Sequence, residues 1–81
     1  MKLLYTVYIL KCADQTYYTG FTTNIEKRLK AHQNKEVHYT KSRLPVKLVN
    51  LFQFENKLKA YDFERYLKTG SGIAFRNKRL I

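Results

Sequence analysis

The chain has 81 residues, enough for one domain with a small core and too few for a separate recognition domain. Sixteen Lys and Arg against six Asp and Glu give a formal charge of +10, spread along the chain, so a folded surface and not a tail carries the field. That balance points to a polyanion, nucleic-acid phosphates first, or leaves a merely well-solvated surface, while the absence of a separate basic amphipathic stretch disfavours a membrane partner.

Tyr5-Thr6-Val7-Tyr8-Ile9-Leu10 is a β-branched and aromatic run that favours a strand, and Thr16-Tyr17-Tyr18-Thr19-Gly20-Phe21 is a second. Between them Ala13-Asp14-Gln15 can turn the chain, since Asp tolerates turn geometry and bonds its own backbone. A hairpin follows, with Tyr8 and Tyr18 on neighbouring strands. By composition alone the two could be ordinary packing tyrosines. Cys12, the lone cysteine, reads as a small buried hydrophobe more readily than as a catalytic thiol. The N-terminal apolar stretch is short, alternating and interrupted by Lys11, so neither a leader nor a membrane span is expected, and the reading is cytoplasmic.

Thr23-Asn24-Ile25-Glu26 has the form of a capping box with Thr23 as the cap, predicting a helix from about Asn24 to Gln33. Ile25, Arg28, Leu29 and His32 follow the i, i+3, i+4, i+7 pattern, which places an arginine and a histidine on or beside the stripe facing the sheet. They are either site residues or a snorkelling pair at the rim of the core. After a polar connection from Asn34 to Arg43, Pro45 opens a predicted strand from Val46 to Phe54.

Residues 56–69 read as a second helix with the stripe Ala60, Phe63, Glu64 and Leu67. A carboxylate on an apolar stripe must be paired, hydrogen-bonded or bound to a cation. Lys68 at i+4 offers an ordinary pair for Glu64; a metal is the other reading. Gly70-Ser71-Gly72 is expected to end this helix, with Gly70 as a left-handed cap, before a short helix from about Ile73 to Lys78.

Taken in order, these pieces resemble the GIY-YIG nuclease superfamily, most closely its small bacterial members related to the nuclease domain of the excision-repair incision subunit. Thr6-Val7-Tyr8 and Tyr18-Thr19-Gly20 stand where the two family triplets would be. Arg28 follows Tyr18 by ten residues, Ala60 to Arg65 resembles the helix bearing the family glutamate, and the stretches Tyr39 to Val49 and Leu67 to Phe75 resemble the short members throughout. The resemblance implies an α+β fold, a three-stranded mainly antiparallel sheet flanked by helices in the order β-β-α-β-α-α, formed by residues 1–81 as a single domain.

It also implies a divalent-metal-dependent endonuclease acting on nucleic acid, DNA being favoured, through a tyrosine-activated water. The expected catalytic residues are Tyr8, Tyr18, Arg28, His32 and Glu64, with Glu64 the sole protein ligand of Mg²⁺ or Mn²⁺. Either tyrosine could be the one that activates water. Arg28 would hold the scissile phosphate by its planar fork, and His32, where a tyrosine is common in the family, would bond a phosphate oxygen or a tyrosine hydroxyl. Phe21 stands where larger members often carry a lysine, so a cation is missing for which Lys41, Arg43 or a partner would have to compensate. The alternatives are a nucleic-acid-binding module with weak or no turnover, and a protein-interaction domain with an acidic partner.

Overall fold

The computed structural model describes residues 3–81. Its elements run β1 (Tyr5–Lys11), β2 (Tyr17–Thr22), α1 (Ile25–Gln33), β3 (Lys47–Phe54), α2 (Lys57–Leu67) and α3 (Gly70–Arg79). This is the α+β architecture expected from the resemblance, with a three-stranded antiparallel sheet in the order β2-β1-β3.

The central strand explains its own composition. Thr6 to Leu10 are all buried because neighbours flank β1 on both sides and both of its faces are covered. Alternation sorts its residues onto two faces. Val7 and Ile9 join Ala60 and Leu67 of α2 in the hydrophobic core, with Tyr17, Phe21, Phe52 and Phe63 packed around them. Tyr8 and Leu10 point to the opposite face, where His32 of α1 meets Tyr8. β3 pairs with β1 through an irregularity: Ile9 faces Asn50 and Leu10 faces Leu48, leaving Val49 as the extra residue of a bulge.

The β1–β2 turn closes as the sequence suggests. Asp14 Oδ1 accepts from the Thr16 amide at 3.1 Å, and Cys12 N donates to Thr16 O at 2.8 Å. Gln15 takes a left-handed conformation, φ 70°, which the local Asp14 and Cys12 bonds hold in place.

Two helix boundaries differ from expectation. Asn24, not Thr23, caps α1: its side chain accepts from Lys27 N at 3.1 Å, while Thr22 Oγ1 accepts from Asn24 N, so the Thr23–Glu26 box does not form. Asn and Thr both cap well, and the shift by one residue lets the threonine at the strand end brace the cap. Gly70 does not end α2 in a left-handed turn; α2 stops at Leu67, and Thr69 caps a new helix through Gly72 N, so Gly70-Ser71-Gly72 opens α3. Gly72 is required by proximity, since a Cβ there would lie 1.7 Å from the carbonyl oxygen of Tyr66.

Candidate active site

Tyr8 and Tyr18 come together through the hairpin register. Tyr8 faces Gly20 and Leu10 faces Tyr18, so the two tyrosines are diagonal neighbours on one face, with ring centroids 6.1 Å apart. Gly20 makes this possible. A Cβ on it would sit 2.4 Å from both Cζ and Oη of Tyr8 and 2.8 Å from the Tyr18 ring, so any side chain would occupy the space of the first tyrosine.

α1 brings Arg28 and His32, one helical turn apart, over the same face. Arg28 Nε donates to Tyr8 Oη at 3.0 Å and its Nη2 donates to Tyr18 Oη at 3.3 Å. His32 Nε2 lies 2.8 Å from Tyr8 Oη, and its Nδ1 lies 2.7 Å from Thr40 Oγ1. Arg28 can only donate, so the Tyr8 oxygen accepts from it, and the Tyr8 hydroxyl can donate to His32 Nε2 when the ring proton is on Nδ1. In that tautomer, the one we assign, Nδ1–H donates to Thr40 Oγ1, whose hydroxyl turns to Val37 O at 3.4 Å.

Every side chain of this relay beyond Arg28 is sealed: Tyr8, His32 and Thr40 are each 0 % exposed. Burial, with Arg28 nearby, lowers the His32 pKa to about 4, so the ring is neutral at pH 7. Burial raises the Tyr8 pKa to about 12, only partly opposed by the Arg28 bond, so Tyr8 keeps its proton. Arg28 has no carboxylate partner among the described residues, and its bonds to two neutral hydroxyls leave guanidinium donors over. A half-buried, uncompensated arginine beside a cleft is a ready anion site.

Tyr18 differs from Tyr8 in being accessible. It lines a cleft of about 330 Å³ with Tyr17, Tyr39 and Leu67 at the exposed edge strand β2. Of the five residues expected from sequence, the structure thus gathers Tyr8, Tyr18, Arg28 and His32 into one hydrogen-bonded group. Glu64 stands outside it. It lies on α2, on the other face of the sheet, and pairs with Lys68 Nζ at 3.2 Å, its side chain 19 % exposed. Lys68 in turn lines the Tyr18 cleft, so the carboxylate reaches the group only around the β2 edge.

Phe21 and Arg43 take other roles than the site would ask of them. Phe21 stacks on Tyr61 at 4.4 Å on the α2 side of the sheet. Arg43 bonds Asp14 Oδ2 at 2.9 Å and Tyr39 O at 2.6 Å, clamping the long connection to the hairpin turn. Thr40 was not marked by the sequence pattern. Its only signal is Val37, a single aliphatic residue in a polar stretch, whose burial anchors the turn that presents Thr40.

An α+β domain that pools two tyrosine hydroxyls, an arginine with no carboxylate partner among the described residues and a buried histidine beside an edge strand has the donors to meet an anion. The family model described as the GIY-YIG catalytic domain matches residues 4–77, and the chain belongs to that family, a family of nucleases. It is 56% identical over 63 residues to a UPF0213 protein of Clostridium perfringens, covering 76% of this chain and 68% of that one. It is 52% identical over 62 residues to a UPF0213 protein of Lactococcus lactis subsp. cremoris, covering 75% of this chain and 63% of the relative. The chain thus spans a little under two thirds of the Lactococcus relative's length. The solution NMR structure of the UPF0213 protein BH0048 from Bacillus halodurans superimposes with a TM-score of 0.60 at 36% identity, over 93% of this chain and 81% of that one.

Proposed function

We propose that the protein is a divalent-metal-dependent endonuclease that hydrolyses nucleic-acid phosphodiester bonds, DNA being the favoured substrate. The observation that carries this reading is Arg28, held between two tyrosine hydroxyls with no acidic partner among the described residues, in a chain of charge +10. The remaining guanidinium donors are free to grip a phosphate and to stabilise the charge that grows on it during attack. Tyr18 is the hydroxyl that can meet the attacking water, because it lines the open cleft; Tyr8, fully buried, positions Arg28. Arg28 Nη2, 3.3 Å from the Tyr18 oxygen, would stabilise a transient phenolate there once the hydroxyl has released its own proton to solvent, and that phenolate would take a proton from the attacking water.

The donor set fits a metal that keeps most of its own water. Among the described residues no group of three His, Cys, Asp or Glu could cage an ion, whereas the half-buried Glu64 is a hard oxygen donor with a lysine as its ion-pair partner. Glu64 would be the sole protein ligand of Mg²⁺ or Mn²⁺, with Lys68 swinging aside. When bound, the metal supplies charge neutralisation at the phosphate and its leaving oxygen. No helix among the described residues is long and apolar enough to cross a membrane, and we place the protein in the cytoplasm with its free Cys12.

The second reading, a nucleic-acid-binding module with little turnover, is favoured by one feature: Phe21 fills a packing position where a cation would assist the reaction. It predicts salt-sensitive binding without products. The test is incubation of the protein and Glu64→Ala with labelled single-stranded, duplex and branched DNA and RNA, in Mg²⁺, Mn²⁺ or EDTA. Metal-dependent products that vanish in the variant support the nuclease; binding with no product under any metal supports the module.

A further inference from the structure

Beside the proposed reacting centre lies a feature that hydrolysis touches only through the Tyr18 hydroxyl. The cleft at the β2 edge has aromatic walls, Tyr17, Tyr18 and Tyr39, an apolar floor and side in Leu67 and Ile73, and cations at its rim, Lys68 and Arg76. Its volume, about 330 Å³, lies at the small end of small-molecule sites. The walls are held in place. Tyr39 packs on Tyr18 at 5.5 Å and is backed by the Arg43 guanidinium 4.1 Å from its ring centre, while Arg76 lies 4.9 Å over Tyr17. Leu67 is buried and Ile73 is open to solvent, so the floor is fixed and the mouth is accessible.

We infer that this cleft is a subsite for an unpaired nucleobase next to the scissile phosphate, which makes single-stranded nucleic acid, or a strand with a frayed or flapped nucleotide, the substrate class. Tyr18 belongs to both features: its hydroxyl bonds Arg28, and its ring forms a wall of the cleft. Arg28 itself opens on a separate cleft with Thr22, Asn24 and Lys27, and its 3.3 Å bond to the Tyr18 hydroxyl is the link between the two, so a phosphate on Arg28 would bring an adjacent nucleotide to the Tyr18 ring. Flat aromatic walls with flanking cations match a base and its phosphates, and sequence-tolerant stacking is how such surfaces take single strands. A base inside a duplex has both faces covered by its neighbours and cannot enter; an unpaired one can. The inference rests on the phosphate-gripping role of Arg28 proposed above, and its test is read without turnover.

Binding in EDTA of a fluorescent thymidine decamer is compared with that of a fully abasic decamer of equal charge, for the wild type, Tyr39→Ala and Tyr39→Phe. Amide signals of Thr19 and Ile73 are followed by NMR with each strand and with a blunt hairpin duplex. The decamer is expected to bind about tenfold tighter than the abasic strand, the order of one base–aromatic stack. Tyr39→Ala is expected to erase that difference while abasic binding persists, with Tyr39→Phe restoring it. Thr19 and Ile73 should shift with the decamer and stay in place with the other two. Equal affinity of the wild type for the two strands, or equal shifts with the abasic strand or the hairpin, overturns the subsite whether or not Tyr39→Ala folds. A protein that cleaves DNA yet binds both strands alike refutes the subsite and leaves the nuclease standing; base-dependent binding with no cleavage under any metal does the reverse.

Discussion

Tyr8 and His32, 24 residues apart, share a 2.8 Å hydrogen bond in a part of the molecule that solvent does not reach. With its proton on Nδ1, the neutral imidazole offers Tyr8 a lone pair on Nε2. Protonating His32 would turn that acceptor into a donor facing a hydroxyl already bonded to Arg28.

A dependence of stability on acid follows. An unfolded histidine titrates near pH 6.5, whereas folded His32 titrates at about 4. Between those values the unfolded chain binds more protons, so stability falls as pH drops from 6.5 to 4, by up to about 3 kcal/mol. Urea unfolding midpoints across this range should decline in the wild type and be flatter in His32→Asn. Identical slopes in the two proteins would remove His32 as the cause.

Thr40 should matter more than a loop threonine ordinarily does. Thr40→Val keeps the shape but strands the buried Nδ1–H of His32, costing about 1–3 kcal/mol, the range for an unsatisfied buried donor. Thr40→Ser restores the hydroxyl and most of the stability. The ¹⁵N shifts of His32 report the change directly: Nδ1 carries the proton in the wild type, and an Nε2-protonated wild-type ring would contradict the proposed direction of the relay.

Gly20 should not tolerate even one methyl group. Its Cβ would meet Tyr8 at 2.4 Å, and neither the sealed ring nor the strand has room to yield. Overpacking of this kind costs about 1–3 kcal/mol. Gly20→Ala should show a lower unfolding midpoint together with altered Tyr8 ring signals; a variant as stable as the wild type, with Tyr8 unmoved, speaks against the tight packing.

Arg28→Lys should lose activity despite keeping its charge. A lysine has three donors on one nitrogen and lacks the planar fork whose separate Nε and Nη2 hold the two hydroxyls while leaving a side to grip a phosphate. The expected fall in cleavage rate is about a hundredfold or more, as for loss of a positioned charge-stabilising donor. Cleavage within a few-fold of the wild type would show that charge alone suffices.

Much of this was legible in the chain itself. The hairpin followed from two β-branched runs around Asp14, and the stripe Ile25, Arg28, Leu29, His32 correctly placed two ionisable residues against the sheet. The capping box misled because Thr23 and Asn24 are both good caps, and only the position of Thr22 at the strand end decides between them. Gly70 misled because glycine is read as a stop, whereas Thr69 can start a helix at the next residue. Thr40 was invisible, since its value depends on a histidine eight residues earlier folding back onto it. Periodicity marked Glu64 as anomalous but could not say that α2 would set it across the sheet from the tyrosines, paired with Lys68.

The most direct measurement of the central claim is the single-turnover cleavage rate of end-labelled DNA in Mg²⁺ by the wild type, Arg28→Ala and Glu64→Ala, purified side by side. The account predicts products from the wild type that EDTA suppresses and that both variants lose while remaining folded. Products formed equally by all three proteins, or by none of them under Mg²⁺ or Mn²⁺, would contradict it.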